Sequence, residues 1–127
     1  MNRPINLVIL AGGKGTRISK YLNNHPKPMA KFNNLYFLEY VVNTFAKYNF
    51  NNIYILTGYK YKIIHKKFNK KMVNFSNITC LKEKKLMGTG GALFNLKKKI
   101  NGDFVLVNED ILLKINIKNF LKNFKKK

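Results

Sequence analysis

Four short apolar runs, separated by segments with helical spacing, constrain the fold of this chain more than any other feature. Each run is four to six residues long, which suits a strand buried on both faces, as in a parallel sheet. Between the runs, apolar residues recur on one face of a helix, as in Leu38, Val41, Val42 and Phe45. The predicted strands cover residues 5–10, 53–57, 78–81 and 104–107, and the predicted helices carry apolar stripes within 38–45, 61–68, 93–100 and 117–124.

The order of these elements predicts the fold class. Strands that alternate with helices call for an α/β protein with a mostly parallel sheet, right-handed crossovers and helices on both faces, a Rossmann-like three-layer arrangement. Residues 11–36 show no sustained period, and we predict a long ordered loop there, which in a small domain is usually functional. In such sheets the ligand lies beyond the carboxyl ends of the strands, at the point where the strand order reverses.

Composition excludes several classes of protein. Hydrophobic residues make up 46% of the 127 residues and aromatic residues 13%, too many for a disordered chain. A single cysteine rules out an internal disulfide framework and a cysteine-rich zinc site. No apolar stretch approaches the roughly 20 residues of a membrane span, and the amino terminus lacks the apolar region of a signal peptide. We therefore expect a cytoplasmic protein with no membrane partner.

The net charge of +20 raises the question of a polyanionic partner. Clustered cations displace counterions from phosphate backbones, which is the basis of nucleic-acid binding. The cations here are 23 lysines and 2 arginines spread along the chain, whereas proteins that read base sequence rely on the planar guanidinium of arginine. We interpret the charge as a solvated, compositionally biased surface and do not expect nucleic acid as a partner. A basic nucleic-acid binder is the alternative, which steeply salt-dependent binding of DNA or RNA without nucleotide affinity would favour.

The glycine-rich segment at residues 10–17, Leu-Ala-Gly-Gly-Lys-Gly-Thr-Arg, is the most informative motif. Glycine lets the backbone approach a phosphate and turn consecutive N–H groups inward, while Lys14 and Arg17 add positive charge. The segment is not a Walker A loop, because Lys14 is followed by Gly15, and it is not the dinucleotide motif, because Ile18 replaces the last glycine. These residues predict either a phosphate-binding loop of unspecified type or a tight turn.

Four motifs in order resemble the signature of the sugar-phosphate nucleotidyltransferase family. The segment 10–17 is followed by Pro-Lys-Pro-Met at 26–29, residues 83–92 resemble the family's second glycine loop, and 104–110 resemble the strand that ends at a metal-binding aspartate. The Gly-Thr-Gly-Gly form of the second loop, with Tyr-Lys-Tyr at 59–61, is most similar to the heptose 1-phosphate and mannose 1-phosphate guanylyltransferase branch. The resemblance implies the nucleotide-diphospho-sugar transferase fold, with residues 1–127 as its N-terminal, nucleotide-binding half.

The resemblance also implies a reaction and its substrates. Such enzymes join a nucleoside triphosphate to a sugar 1-phosphate and release pyrophosphate, so catalysis is mainly alignment and neutralisation of charge. Mg²⁺ is the implied cofactor. GTP is the favoured nucleotide, because a carboxylate at the base-reading position can accept two hydrogen bonds from guanine but only one from thymine or uracil. A half sheet exposes an edge strand, and we expect a homo-oligomer or a partner chain to cover it.

The family pattern carries over to individual residues. Arg17 is implied to stabilise the departing pyrophosphate, Lys27 to bridge the nucleotide and sugar phosphates, and Asp110 to hold the Mg²⁺ ion. Glu83 falls at the base-reading position. The alternatives are an exposed glutamate at a strand end for Glu83 and a solvated lysine for Lys27. The implied nucleotide-binding residues are Leu10, Ala11, Gly12, Gly13, Lys14, Gly15, Thr16, Glu83, Gly88, Thr89 and Gly90.

Two departures from the family pattern bear on activity. Family members usually have glycine before the metal-binding aspartate, whereas this chain has Glu109, and the chain ends at Lys127, about halfway through the family domain. We therefore expect the isolated chain to be weakly active or inactive even if it binds nucleotide. A non-catalytic nucleotide-binding or interaction module of the same fold is the second interpretation. Cys80 is expected in the core, and His25 and His65 are given no catalytic role.

Overall fold

The computed structural model describes residues 5–12, 26–32, 34–83, 96, 98–100 and 102–108. Within these ranges no helix has the length and apolar character needed to cross a bilayer. The elements in chain order are β1 (Ile5–Ala11), a 3-10 turn (Lys27–Met29), β2 (Lys31–Phe32), β3 (Leu35–Tyr36), α1 (Phe37–Ala46), β4 (Asn52–Thr57), α2 (Tyr61–Phe68), β5 (Met72–Val73), β6 (Ser76–Lys82) and β7 (Asp103–Asn108).

Five of these strands form one sheet, in the order β5-β6-β4-β1-β7. β6, β4, β1 and β7 run parallel, and β5 joins the edge of β6 in the antiparallel direction. The chain moves outward from β1 to β4 and β6 and then returns to the other side of β1 as β7. The strand order therefore reverses between β1 and β7, where Leu10 pairs with Asn108. The mostly parallel α/β sheet predicted from the sequence is confirmed.

Side chains alternate between the two faces of the sheet, and each face has its own apolar cluster. Along β1, Leu7 lies in the larger cluster and its neighbour Val8 in the smaller one. Both α1 and α2 pack on the larger cluster, through buried residues such as Phe45 and Ile64. On the opposite face, Leu96 is buried with Val8 in the smaller cluster. β1 is thus covered on both faces, which is why its run is almost continuously apolar, whereas β6 alternates between buried and more exposed residues.

Two short hairpins differ from the sequence expectations. In the described part of 11–36, the predicted long ordered loop contains short regular elements: β1 extends to Ala11, Lys27–Met29 form a 3-10 turn, and β2 pairs with β3. A second hairpin joins β5 to the start of β6. Asn34 and Asn74 adopt the positive φ of these tight turns, 70° and 54°, a conformation that asparagine tolerates well. Strands of two residues carry no recognisable period, so periodicity could not reveal them.

The predicted helix at 117–124 lies outside the described residues, and the one at 93–100 lies largely outside them. The described residues of 93–100 agree with the end of a helix. The N–H groups of Lys99 and Ile100 both donate to the Leu96 carbonyl, with N···O distances of 2.8 and 2.9 Å. Leu96, which belongs to the predicted apolar stripe, is buried.

Replacing Ile55 by alanine is expected to lower the free energy of unfolding by about 2–5 kcal/mol, because truncation of a fully buried side chain leaves a cavity. Ile55 is 0% exposed in β4, between β1 and β6. The matched control is Phe75→Ser, at a side chain that is 87% exposed, where we expect a change within about 0.5 kcal/mol. Urea denaturation followed by circular dichroism measures both, and equal losses in the two variants would contradict this core.

Candidate functional site

Three strand ends meet at the carboxyl edge of the sheet. Gly12 follows β1, Gly58 follows β4 and Glu83 follows β6. The parallel register places the last residue of β4 beside the last residues of β1 and β6. Parallel strands end at the same edge, so segments that are far apart in the sequence come together here. This is the edge at which open α/β sheets bind their ligands.

Backbone hydrogen bonds tie the three ends together. The Tyr59 N–H donates to the Gly12 carbonyl with an N···O distance of 3.4 Å, and the Glu83 N–H donates to the Thr57 carbonyl at 2.8 Å. The segment that follows β4 therefore contacts both the end of β1 and the end of β6. These bonds hold the backbone of Glu83 in a set position relative to Gly12.

The Glu83 carboxylate lies beside Gly12. A Cβ atom placed on Gly12 would lie 3.9 Å from Glu83 Oε2 and 3.6 Å from the Gly58 backbone nitrogen, both ordinary contacts. The fold itself has room for a side chain at Gly12, whose φ is not positive. Burial raises the pKa of Glu83, and among the described residues no cation forms an ion pair with its carboxylate. A partly desolvated carboxylate of this kind can accept hydrogen bonds from a ligand.

A polar pair at this edge was not revealed by the sequence alone. The Thr57 side chain is fully buried, and its hydroxyl oxygen lies 2.7 Å from His65 Nε2 and 3.4 Å from the Leu81 carbonyl oxygen. The His65 ring packs edge-on against Tyr61, with ring centroids 5.2 Å apart. Burial, and then the positive charge of Lys82, lowers the pKa of His65. A threonine that ends a strand and a histidine eight residues later are visible in the sequence, but their contact depends on how α2 packs against β4 and β6.

The structure describes four of the predicted nucleotide-binding residues and brings two of them, Gly12 and Glu83, together. Leu10 and Ala11 are the last residues of β1. Ala11 is fully buried, and Leu10 packs against the smaller core cluster. The side chains of Leu10 and Ala11 therefore belong to the core, which leaves any contact with a nucleotide to their backbone, as the resemblance implies.

Lys27 lies in the 3-10 turn, which is closed by a hydrogen bond from the Met29 N–H to the Pro26 carbonyl at 2.9 Å. The flanking residues Pro26 and Pro28 are both buried, so the backbone that carries Lys27 is anchored on either side. The structure describes only the backbone of Lys27, and its predicted bridging role stays a prediction.

The other predicted site residues lie outside the described part of the chain, so their roles also stay predictions. Among the described residues, no group of three or more His, Cys, Asp or Glu side chains could hold a metal ion. Cys80 is buried as expected, and burial raises the pKa of its thiol to about 12. The predicted residues outside the described ranges are Gly13, Lys14, Gly15, Thr16, Arg17, Gly88, Thr89, Gly90 and Asp110.

The chain is similar to known proteins along most of its length. The family model described as "Nucleotidyl transferase" matches residues 6–127. The chain is 30% identical over 116 residues to D-glycero-alpha-D-manno-heptose 1-phosphate guanylyltransferase of Campylobacter jejuni, covering 91% of this chain and 52% of that protein. It is 33% identical over 119 residues to the bifunctional protein GlmU of Methanococcus aeolicus, covering 94% of this chain and 28% of that protein.

Solved structures agree with these sequence matches. HddC from Yersinia pseudotuberculosis superimposes with a TM-score of 0.80 at 31% identity, covering 93% of this chain and 53% of that chain. The same protein has been solved in complex with GMP-PN, again with a TM-score of 0.80. The present chain thus spans about half the length of HddC and of the guanylyltransferase, and about a quarter of the length of GlmU.

The raised pKa of Glu83 predicts how stability depends on pH in a Glu83→Gln variant. A folded-state pKa above the unfolded value means that ionisation of Glu83 opposes folding, so the contribution of this residue to stability is greatest at acid pH and is lost as the pH rises through the folded-state pKa. Glutamine cannot ionise. We expect Glu83→Gln to gain stability relative to the unmodified chain as the pH rises from below about 4.3, the ordinary glutamate value, to neutrality.

Urea denaturation of both proteins over this pH range measures the difference in the free energy of unfolding. A difference that stays constant with pH would show that Glu83 titrates alike in the folded and unfolded states, contrary to the partial burial described above.

Proposed function

Because the chain belongs to the nucleotidyl transferase family, we propose that it binds a nucleoside triphosphate at the carboxyl edge of its sheet and transfers the nucleotide to a sugar 1-phosphate. GTP is the favoured nucleotide, and a heptose or hexose 1-phosphate is the favoured acceptor, with pyrophosphate as the second product. The observation that carries the proposal is the Glu83 carboxylate beside Gly12, at the carboxyl ends of β6 and β1 on either side of β4.

The chemistry of Glu83 supports guanine as the base. An ionised carboxylate offers two acceptor oxygens, and guanine presents two donors side by side, N1–H and the exocyclic amine. Partial burial lowers the local dielectric and strengthens such hydrogen bonds. The matches to a heptose 1-phosphate guanylyltransferase and to a protein solved with GMP-PN favour the same base.

The absence of a side chain at Gly12 supports this position for the nucleotide. Nothing in the described structure requires glycine at this position for packing, since a Cβ atom would make only ordinary contacts. A side chain there would nevertheless stand beside Glu83 Oε2 and take up the space that a base needs to approach the carboxylate. The absence of a side chain at Gly12 is therefore explained by a ligand better than by the fold.

In this proposal the transfer itself depends on residues carried over from the family pattern. Arg17 would stabilise the charge that grows on the departing pyrophosphate, and Lys27 would hold the α-phosphate and the sugar phosphate next to each other. Asp110, which follows Asn108 of β7 by two residues in the sequence, would be a ligand of Mg²⁺. A bound Mg²⁺ ion would neutralise phosphate charge during the in-line displacement.

A titration with GTP and UTP tests base recognition by Glu83. We expect the unmodified chain to bind GTP more tightly, and Glu83→Gln to weaken GTP binding by about tenfold with little effect on UTP, because the variant loses an acceptor that guanine uses. The matched control is Glu39→Gln in the first turn of α1, whose carboxylate accepts a hydrogen bond from the Tyr36 N–H and lies 3.9 Å from Lys67, and which is not one of the predicted site residues. Isothermal titration calorimetry measures the dissociation constants. Equal GTP affinity in Glu83→Gln and the unmodified chain would argue against this role.

Pyrophosphate release distinguishes a transferase from a module that only binds nucleotide. With GTP, Mg²⁺ and a panel of heptose and hexose 1-phosphates, we expect weak, acceptor-dependent release of pyrophosphate from the isolated chain, and its loss in Asp110→Asn, because the variant lacks the proposed Mg²⁺ ligand. Nucleotide affinity in the absence of metal should change little in this variant. GTP binding without any acceptor-dependent release would favour the non-catalytic interpretation, and absence of both would refute the proposed function.

A further inference from the structure

Thr57 joins three parts of the proposed site through its backbone and its side chain. Its carbonyl accepts the hydrogen bond from the Glu83 N–H, while its hydroxyl contacts β6 at the Leu81 carbonyl and α2 at His65 Nε2. Thr57 is 0% exposed, so no water competes for these bonds. A side chain that is buried and bonded to both neighbours has little freedom to move, and neither has the carbonyl that holds Glu83.

The Thr57 hydroxyl has a single proton for its two neighbours. Depending on the tautomer of the ring, it donates that proton to the Leu81 carbonyl at 3.4 Å and accepts from His65 Nε2–H, or it donates to His65 Nε2 at 2.7 Å. In either case His65 makes the shorter of the two contacts, and the hydroxyl would lose that bond without it.

His65 reaches the Glu83 segment along a second path. Its ring packs edge-on against Tyr61 at 5.2 Å, and the Lys82 Nζ atom lies 4.2 Å from the centroid of the same Tyr61 ring. Lys82 precedes Glu83 in the chain. His65 is therefore linked to Glu83 by two paths. One runs through Thr57, whose carbonyl accepts the hydrogen bond from the Glu83 N–H. The other runs through Tyr61 to Lys82, the residue before Glu83.

We propose that His65 is a positioning residue for base selection: by holding Thr57 and Tyr61, it sets the place of the Glu83 carboxylate beside Gly12. This inference rests on the proposed function, since it assigns a role in recognition of the base that Glu83 binds. His65 itself touches neither base nor phosphate in this arrangement. Its removal should therefore loosen the discrimination between bases more than it weakens the attraction for the triphosphate.

The experiment measures the affinities of the whole chain for GTP and UTP, by calorimetry, together with the midpoint of thermal unfolding. We expect His65→Ala to reduce the ratio of GTP to UTP affinity by about fivefold or more, mainly through weaker GTP binding. Thr57→Val, which keeps the carbonyl and the shape but removes the hydroxyl, should reduce the ratio similarly. His65→Gln, whose side-chain amide can donate or accept a hydrogen bond in place of Nε2, should restore most of the ratio.

The matched control is Asn69→Ala, which also removes a hydrogen bond between the α2 region and β6, from the Cys80 N–H to Asn69 Oδ1 at 2.9 Å. This bond lies further from the carboxyl edge, so we expect a lower unfolding midpoint and a ratio within about twofold of the unmodified chain.

Each outcome decides the inference. A ratio within about twofold of the unmodified value in both His65→Ala and Thr57→Val would overturn it while leaving the proposed function intact. An Asn69→Ala variant with the same loss of selectivity would overturn it as well, because the effect would then follow stability alone. If His65→Ala does not fold, Thr57→Val alone decides by the same criterion. An unmodified chain that binds neither nucleotide would refute the proposed function, and this inference with it.

Discussion

The parallel pairing of β4 with both β1 and β6 is the constraint on which the proposed site depends. It sets Thr57 beside the last residues of the two neighbouring strands, and the chain beyond Thr57 then bonds to Gly12 on one side. On the other side, the Thr57 carbonyl holds the amide of Glu83. A shift of one residue in either register would exchange the side chains that pack in the two core clusters, so the fit of each cluster protects the alignment of the site.

The proposed site contains a negative group on a chain that is strongly positive overall. The chain carries 25 lysines and arginines against 5 acidic residues, and a surface of this sign attracts polyanions such as a nucleoside triphosphate over long distances. Glu83 is a rare negative group in that field, partly desolvated and beside a residue without a side chain. The general charge would favour any triphosphate, whereas the local carboxylate would choose among bases. In this proposal the overall positive charge attracts the triphosphate, and the Glu83 carboxylate selects the base.

Much of the fold could be predicted, because buried positions are occupied by apolar residues at the spacing of a strand or a helix. The runs that became β1, β4, β6 and β7 are rich in apolar residues, as strands that face an apolar cluster on each side must be, and the stripes of α1 and α2 include most of the residues that the structure buries in these helices. The hairpins around Asn34 and Asn74 were missed because strands of two residues have no period. Glu83 was found through a family resemblance and not through periodicity, since a single carboxylate after a strand has no pattern of its own.

The sequence by itself therefore determined the alternation of strands and helices, the faces that are buried, and the positions at which glycine and glutamate follow strands. Each of these depends on the local order of apolar and polar residues. Only the tertiary structure decided that Gly12 and Glu83 are neighbours, and that Thr57 and His65 form a hydrogen bond at the same edge. Those contacts depend on which strands pair and on how α2 lies across the sheet, and both are set by the packing of the whole core.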